Sequence, residues 1–109
     1  LNDVGFHHVD YDDAAKILQV LFDKISQKVL LSTIDSAKTV SEICFENRIP
    51  ASSTYKKIKQ LQHAGFIYVE KTSINRNRKK VVLYRSRIKS LNLTFDQNGM
   101  NLQVVKNDG

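Results

Sequence analysis

At Gly65 the chain changes its period, and that change limits the folds open to it. Before Gly65, apolar residues recur at helical spacing: Ala14, Ile17, Leu18, Leu21, Phe22 and Ile25, then Val29, Leu30 and Ile34, then Thr54, Ile58 and Leu61. After it, residues 66–72 and 80–85 are rich in β-branched and aromatic side chains, which suit extended backbone. Helices followed by hairpins make an α+β fold. At 109 residues the chain has room for one domain with one modest core, so residues 1–109 are read as a single unit.

The helical half divides by its own punctuation. Asp10, Asp12 and Asp13 place negative charge where a helix N-terminus favours it, and the apolar sets that follow predict N-terminal helices over about residues 12–36, broken near Asp23. Thr39 followed by Glu42 has the spacing at which hydroxyl and carboxylate each satisfy an orphan backbone amide. A short helix is therefore expected from there to about Asn47. Pro50 biases the residue before it away from helix, so Arg48, Ile49 and Pro50 form a turn. Two helices joined by so tight a turn form a helix-turn-helix, here about residues 39–65.

Turned at 100° per residue, the second helix of that motif places Thr54, Ile58, Leu61 and Gly65 toward the core, with Tyr55 and Gln62 at the shoulder. The opposite side carries Ser52, Ser53, Lys56, Lys59, Gln60 and His63, with no acid among them. Hydroxyls, an amide and ammonium groups are what contacts phosphates and base edges when a helix enters a major groove. Gly65 ends the helix because glycine accepts a left-handed backbone. The hairpin beyond it, about residues 66–86, has a tip of Ser73, Ile74, Asn75, Arg76, Asn77, Arg78 and Lys79.

Charge is segregated to match. Residues 48–90 hold 12 of the 17 Lys and Arg against one acid, Glu70, giving regional charges of −4, +11 and −1 along the chain. A positive field confined to the middle of the sequence attracts polyanions and speeds their encounter, which makes double-stranded DNA the first partner to consider.

The run TVSEICFENRIPASSTYKKIKQLQHAGFI, followed by a basic hairpin, resembles the winged helix-turn-helix of prokaryotic transcription regulators, nearest to ArsR-like and related archaeal families, over about residues 12–86. The resemblance implies a sequence-specific, usually dimeric DNA-binding repressor or activator. It places Ser52, Ser53, Tyr55, Lys56 and Lys59 in the major groove, and Arg76 and Arg78 in a wing on the backbone or minor groove. Gln60 from the same stripe and Asn75, Asn77 and Lys79 from the same tip complete the candidate DNA-binding set. Winged helices also serve as protein-docking modules and RNA binders, so the fold alone does not decide the activity.

Two departures from that family shape the expectations. Metal-responsive ArsR-like proteins carry a Cys-x-Cys pair on the first helix of the motif, whereas this chain reads Cys44, Phe45, Glu46. A lone thiolate is a poor soft-metal site, so no metal or cofactor is expected and Cys44 is read as a small core residue. Where relatives have a dimerisation helix, this chain alternates Leu91, Leu93 and Phe95 with Asn92 and Thr94, then reads Asn98-Gly99, a hairpin turn signal, with Leu102 and Val104 opposite. A second hairpin is expected over about residues 88–106, covering the domain's own core or pairing with a second subunit. It and the first helix offer more apolar surface than a winged core needs, and a homodimer is expected.

His7 and His8 are adjacent, share no helical face, and are read as a frayed terminus. No Ser-His-Asp grouping, paired carboxylates or phosphate-cradling glycine loop is present, and an enzyme is not expected. No apolar run approaches the roughly 18 residues of a membrane span, and no secretion-signal pattern opens the chain. A cytoplasmic protein is the expectation.

Overall fold

The structure, a computed structural model, describes residues 6–107; the expected domain bounds of 1–109 reach beyond them at both ends. In chain order the elements are β1 (Phe6–Val9), α1 (Tyr11–Leu21), α2 (Lys24–Ser32), α3 (Val40–Asn47), α4 (Ala51–His63), β2 (Ile67–Ile74), β3 (Lys80–Ser86), β4 (Ile88–Asp96) and β5 (Gly99–Lys106). The fold is α+β, with four helices and two antiparallel hairpins. β2 and β3 form one sheet; β1, β5 and β4, in that order, form the other.

Aspartates start the first two helices. The Asp10 carboxylate accepts the backbone N–H of Asp13 at 2.9 Å, and that of Asp23 accepts the N–H of Ser26 at 2.8 Å. The break expected near Asp23 is therefore a cap, in which a short side chain supplies the acceptor that the first turn lacks. α2 ends earlier than residue 36. The Thr33 hydroxyl donates to the Val29 carbonyl at 2.8 Å and closes the helix there, because a buried hydroxyl satisfied by the preceding turn competes with continuation.

α3 opens on the Thr39–Glu42 box, both arms of which are made, at 2.9 and 3.1 Å. Its end is set by Arg48, which adopts a left-handed φ of 55°. α4 ends in a Schellman arrangement. Phe66 N–H reaches the Leu61 carbonyl at 2.9 Å, Gly65 N–H reaches that of Gln62 at 3.1 Å, and Gly65 takes φ 85°. Leu61 and Phe66 are both buried, which supplies the apolar contact that fixes the angle between helix and hairpin.

The terminus expected to fray is instead β1: His7 and His8 pair in register with Val104 and Gln103 of β5. A four-residue strand leaves no periodic signal of its own, and its partner lies almost a chain length away. The expected Asn98-Gly99 turn is shifted by one residue. Gln97 and Asn98 form the turn, Asp96 Oδ1 accepts the Asn98 N–H at 2.8 Å, and Gly99, at φ 108°, begins β5.

One core joins both halves. Val29, Ile43, Ile58, Leu61 and Ile67 are fully buried with Leu102 and Val104 of β5, so the tail hairpin closes over the domain's own helices. The envelope is long, 57 × 27 × 20 Å, with a radius of gyration of 15.0 Å, above the ~13 Å of a spherical domain of this size because the hairpins project. Among the described residues no helix is long and apolar enough to cross a membrane.

Candidate nucleic-acid interface

Burial divides α4 as its sequence implies. Thr54, Ile58 and Leu61 are buried, and the Thr54 hydroxyl donates to the Pro50 carbonyl at 2.7 Å, which locks the first turn of a helix whose N-cap proline has no side-chain acceptor. Ser52, Lys56, Lys59, Gln60 and His63 are exposed, and Ser53 is half-buried. Tyr55, expected to pack its ring at the shoulder of the core while offering its hydroxyl to a phosphate, is 52% exposed.

The hairpin tip is built by one side chain. The Asn75 carboxamide oxygen accepts the backbone N–H groups of Asn77 at 2.9 Å and Lys79 at 3.0 Å, while its own N–H and C=O bond to Lys79 and Arg78. Arg78 takes the left-handed position at φ 59°. Of the candidate residues at the tip, Asn75 thus spends its oxygen on the turn and keeps only its NH2 for a ligand. Arg76, Asn77, Arg78 and Lys79 are exposed. The tail turn at Asp96 repeats the device, an Asx acceptor followed three residues later by a positive φ.

Three of the twelve cations between residues 48 and 90 serve the fold. Lys57 Nζ lies 3.2 Å from Asp23 and ties α4 to the start of α2. Arg85, 9% exposed, donates from Nη1 to Glu70 at 2.9 Å and from Nε to the Ile34 carbonyl at 3.1 Å. Arg87 stacks over Tyr68 at 4.7 Å. The other nine, Arg48, Lys56, Lys59, Lys71, Arg76, Arg78, Lys79, Lys80 and Lys89, are exposed and have no ion-pair partner among the described residues. The only acid of the segment, Glu70, is taken by Arg85, so nothing within it offsets those nine charges.

Arg48, Lys71, Lys80 and Lys89 were not in the candidate set. Lys80 belongs to the same basic run as Arg76, Arg78 and Lys79, which the sequence alone weighs toward binding; the left-handed geometry of Arg48 has no sequence signal. Asp23 is held below its ordinary carboxylate value, first by the Ser26 backbone N–H and, against the opposing effect of burial, also by the Ser26 side chain and Lys57.

Cys44 is half-buried and packs against the core beside Ile43. No group of three or more His, Cys, Asp or Glu side chains that could hold a metal occurs among the described residues. The exposed ammonium, guanidinium, hydroxyl and amide groups around α4 and the β2–β3 tip suit multivalent, hydrogen-bonding contact with an anion. No protein-family model matches the chain, and no curated protein matches it.

Proposed function

We propose that the protein is a winged helix-turn-helix regulator that binds double-stranded DNA sequence-specifically, as a homodimer. α4 enters the major groove with Ser52, Ser53, Tyr55, Lys56, Lys59 and Gln60. The β2–β3 tip, with Arg76, Arg78 and Lys79, lies on the backbone or minor groove. The observation that carries this reading is the sorting of cations: those that face the fold are paired, and those on the outer side of α4 and at the tip are left without an acid.

Backbone strain supports it. Arg48 and Arg78 are the non-glycine residues at positive φ among those described, each in a position where glycine costs less by about 1 kcal/mol. Both flank the proposed contact surface, one in the turn before α4 and one at the tip, where a strained cation is consistent with a role in binding.

The test is selection of bound duplexes from a random pool at near-physiological salt, followed by a salt series. A regulator enriches a roughly palindromic motif, and its affinity falls steeply with salt. Lys56→Ala should cost about 1–3 kcal/mol on the enriched site, and Arg76→Ala should weaken all duplexes alike and reduce the salt slope by about one. Binding like wild type by both variants would remove the assignment. An absence of enrichment with flat salt dependence would favour a protein-docking module.

A further inference from the structure

We propose that β4 is the edge along which two copies of this chain pair, antiparallel across a two-fold axis, so that β1-β5-β4 of each continues into one six-stranded sheet and Phe95 of each copy fills an apolar cleft of the other. The proposal rests on the dimeric part of the reading above and not on its DNA part.

The edge is open. β5 is flanked on both sides, by β1 and β4, which leaves the outer side of β4 without a strand among the described residues. Natural edges are blunted by charge, proline, bulges or shortness. β2, the free edge of the other sheet, has Glu70 at a bulge and Lys71 beside it. β4 is nine residues long, and its run 90–95, Ser-Leu-Asn-Leu-Thr-Phe, has no charge and no proline and lies beyond the bulge at Lys89. Such an edge pairs with another strand.

The face beside the edge is apolar and incompletely covered. The register places Leu91, Leu93 and Phe95 on one side with Val104, Leu102 and Met100. The two β5 residues nearest the helices are fully buried, whereas Phe95 is 81% exposed and Leu93 47%. Met100 also lines a groove with Tyr11 and Leu18 of α1 and with Phe22 at its C-terminal end, so the apolar surface continues from the β4–β5 hairpin onto that helix. Tyr11, Phe22 and Phe95 expose on the order of 450 Å² between them. With Leu93 and with Leu31, which walls a second cleft beside Leu91, the exposed area of these side chains is most of the roughly 800 Å² that each partner contributes to a stable interface.

The complementarity that selects a second copy as the occupant is internal to β4. Its cation, Lys89, stands near the start and its acid, Asp96, at the end. An antiparallel two-fold therefore brings the positively charged end of each β4 to the negatively charged end of the other, twice. Any pairing that keeps the apolar side chains on one face and centres on residue 92 or 93 places Phe95 opposite Lys89 or Leu91 of the second copy. Those residues line a cleft of about 280 Å³ whose other walls include Leu21, Leu30, Leu31, Ile34 and Ile88. An apolar cavity of about 150 Å³ already accepts benzene, so a phenyl ring fits.

Sedimentation equilibrium of the whole protein without DNA tests this. Wild type should be a dimer at micromolar concentration, and Phe95→Lys, a change at an exposed position, should weaken dimerisation by at least about 30-fold, the effect of a hot-spot side chain, with an unchanged circular dichroism spectrum. In a Cys44→Ser background, Asn92→Cys or Leu93→Cys should form a disulfide-linked dimer on mild oxidation, whichever lies on the axis. A wild-type monomer at 100 µM and above, a Phe95→Lys protein as dimeric as wild type, or cross-linking by neither cysteine would each overturn the proposal. Because DNA is absent, a dimer that enriches no operator counts against the regulator reading alone.

Discussion

Arg78 shows how one residue can be set against itself. Its φ of 59° completes the turn that the Asn75 side chain organises, and the left-handed region is unfavourable for any residue with a Cβ. Arg78→Gly should therefore raise the melting temperature by a few degrees, for a net gain of about 0.5–1 kcal/mol, since glycine relieves the strain but adds freedom to the unfolded chain. The same substitution removes an exposed cation, so duplex affinity should fall and its salt slope flatten. Opposite signs in calorimetry and in a binding titration are the expected result. A fall in both would show that Arg78 holds the tip by contacts of its own.

Among the elements, α2 and α4 are joined through Asp23. Its carboxylate caps α2 at Ser26 and meets Lys57 of α4 at 3.2 Å, so one side chain starts one helix and braces another. Asp23→Ala should cost about 1 kcal/mol, chiefly the lost cap. Because the folded state holds this carboxyl below its ordinary value, the contribution is fully present above the unfolded value of about 3.9 and is lost as pH falls through the lower folded one. Chemical denaturation should give a constant gap between wild type and variant from pH 5 to 8, narrowing below about pH 4. The break near Asp23 was legible, though not as a cap, as were the Thr39–Glu42 box, Gly65 and both hairpins, because each depends on residues within a few positions of one another. β1 was not, since pairing of Phe6 with Val105 leaves no local pattern. Nor was the end of α2, where the Thr33 hydroxyl decides against an apolar periodicity that runs on to Ile34.

For the whole molecule, the decisive junction is buried Arg85. Together with Asn107, which donates to the Ile34 carbonyl and to that of Ser86 at 2.9 Å each, it fastens β3 and the end of β5 to the loop after α2. The sequence counted Arg85, Arg87 and Lys57 with the basic surface, because charge reads from a sequence without its partners. Arg85→Met should destabilise by about 2–3 kcal/mol, a figure reduced from that of a fully buried pair because Glu70 is a third exposed. Urea denaturation checks the loss. Duplex binding by the folded variant should keep the wild-type salt slope, in contrast to Arg76→Ala, and a flattened slope would return Arg85 to the contact surface.

The Ile34 carbonyl, held by a side chain 73 residues further on, also sets an order of events in time. The core face of the helices is closed by Leu102 and Val104, which are synthesised long after α4. At roughly 5–20 residues per second, the helical half waits about 2–8 s on the ribosome for the strand that completes it. During that interval Lys71, Arg76, Arg78, Lys79, Lys80 and Lys89 join the three unpaired cations already made, Arg48, Lys56 and Lys59, beside ribosomal RNA with their scaffold still open. The part of the chain suited to grip a polyanion is thus made before the part that holds it rigid, and nascent chains should acquire protease resistance only once β5 has left the exit tunnel.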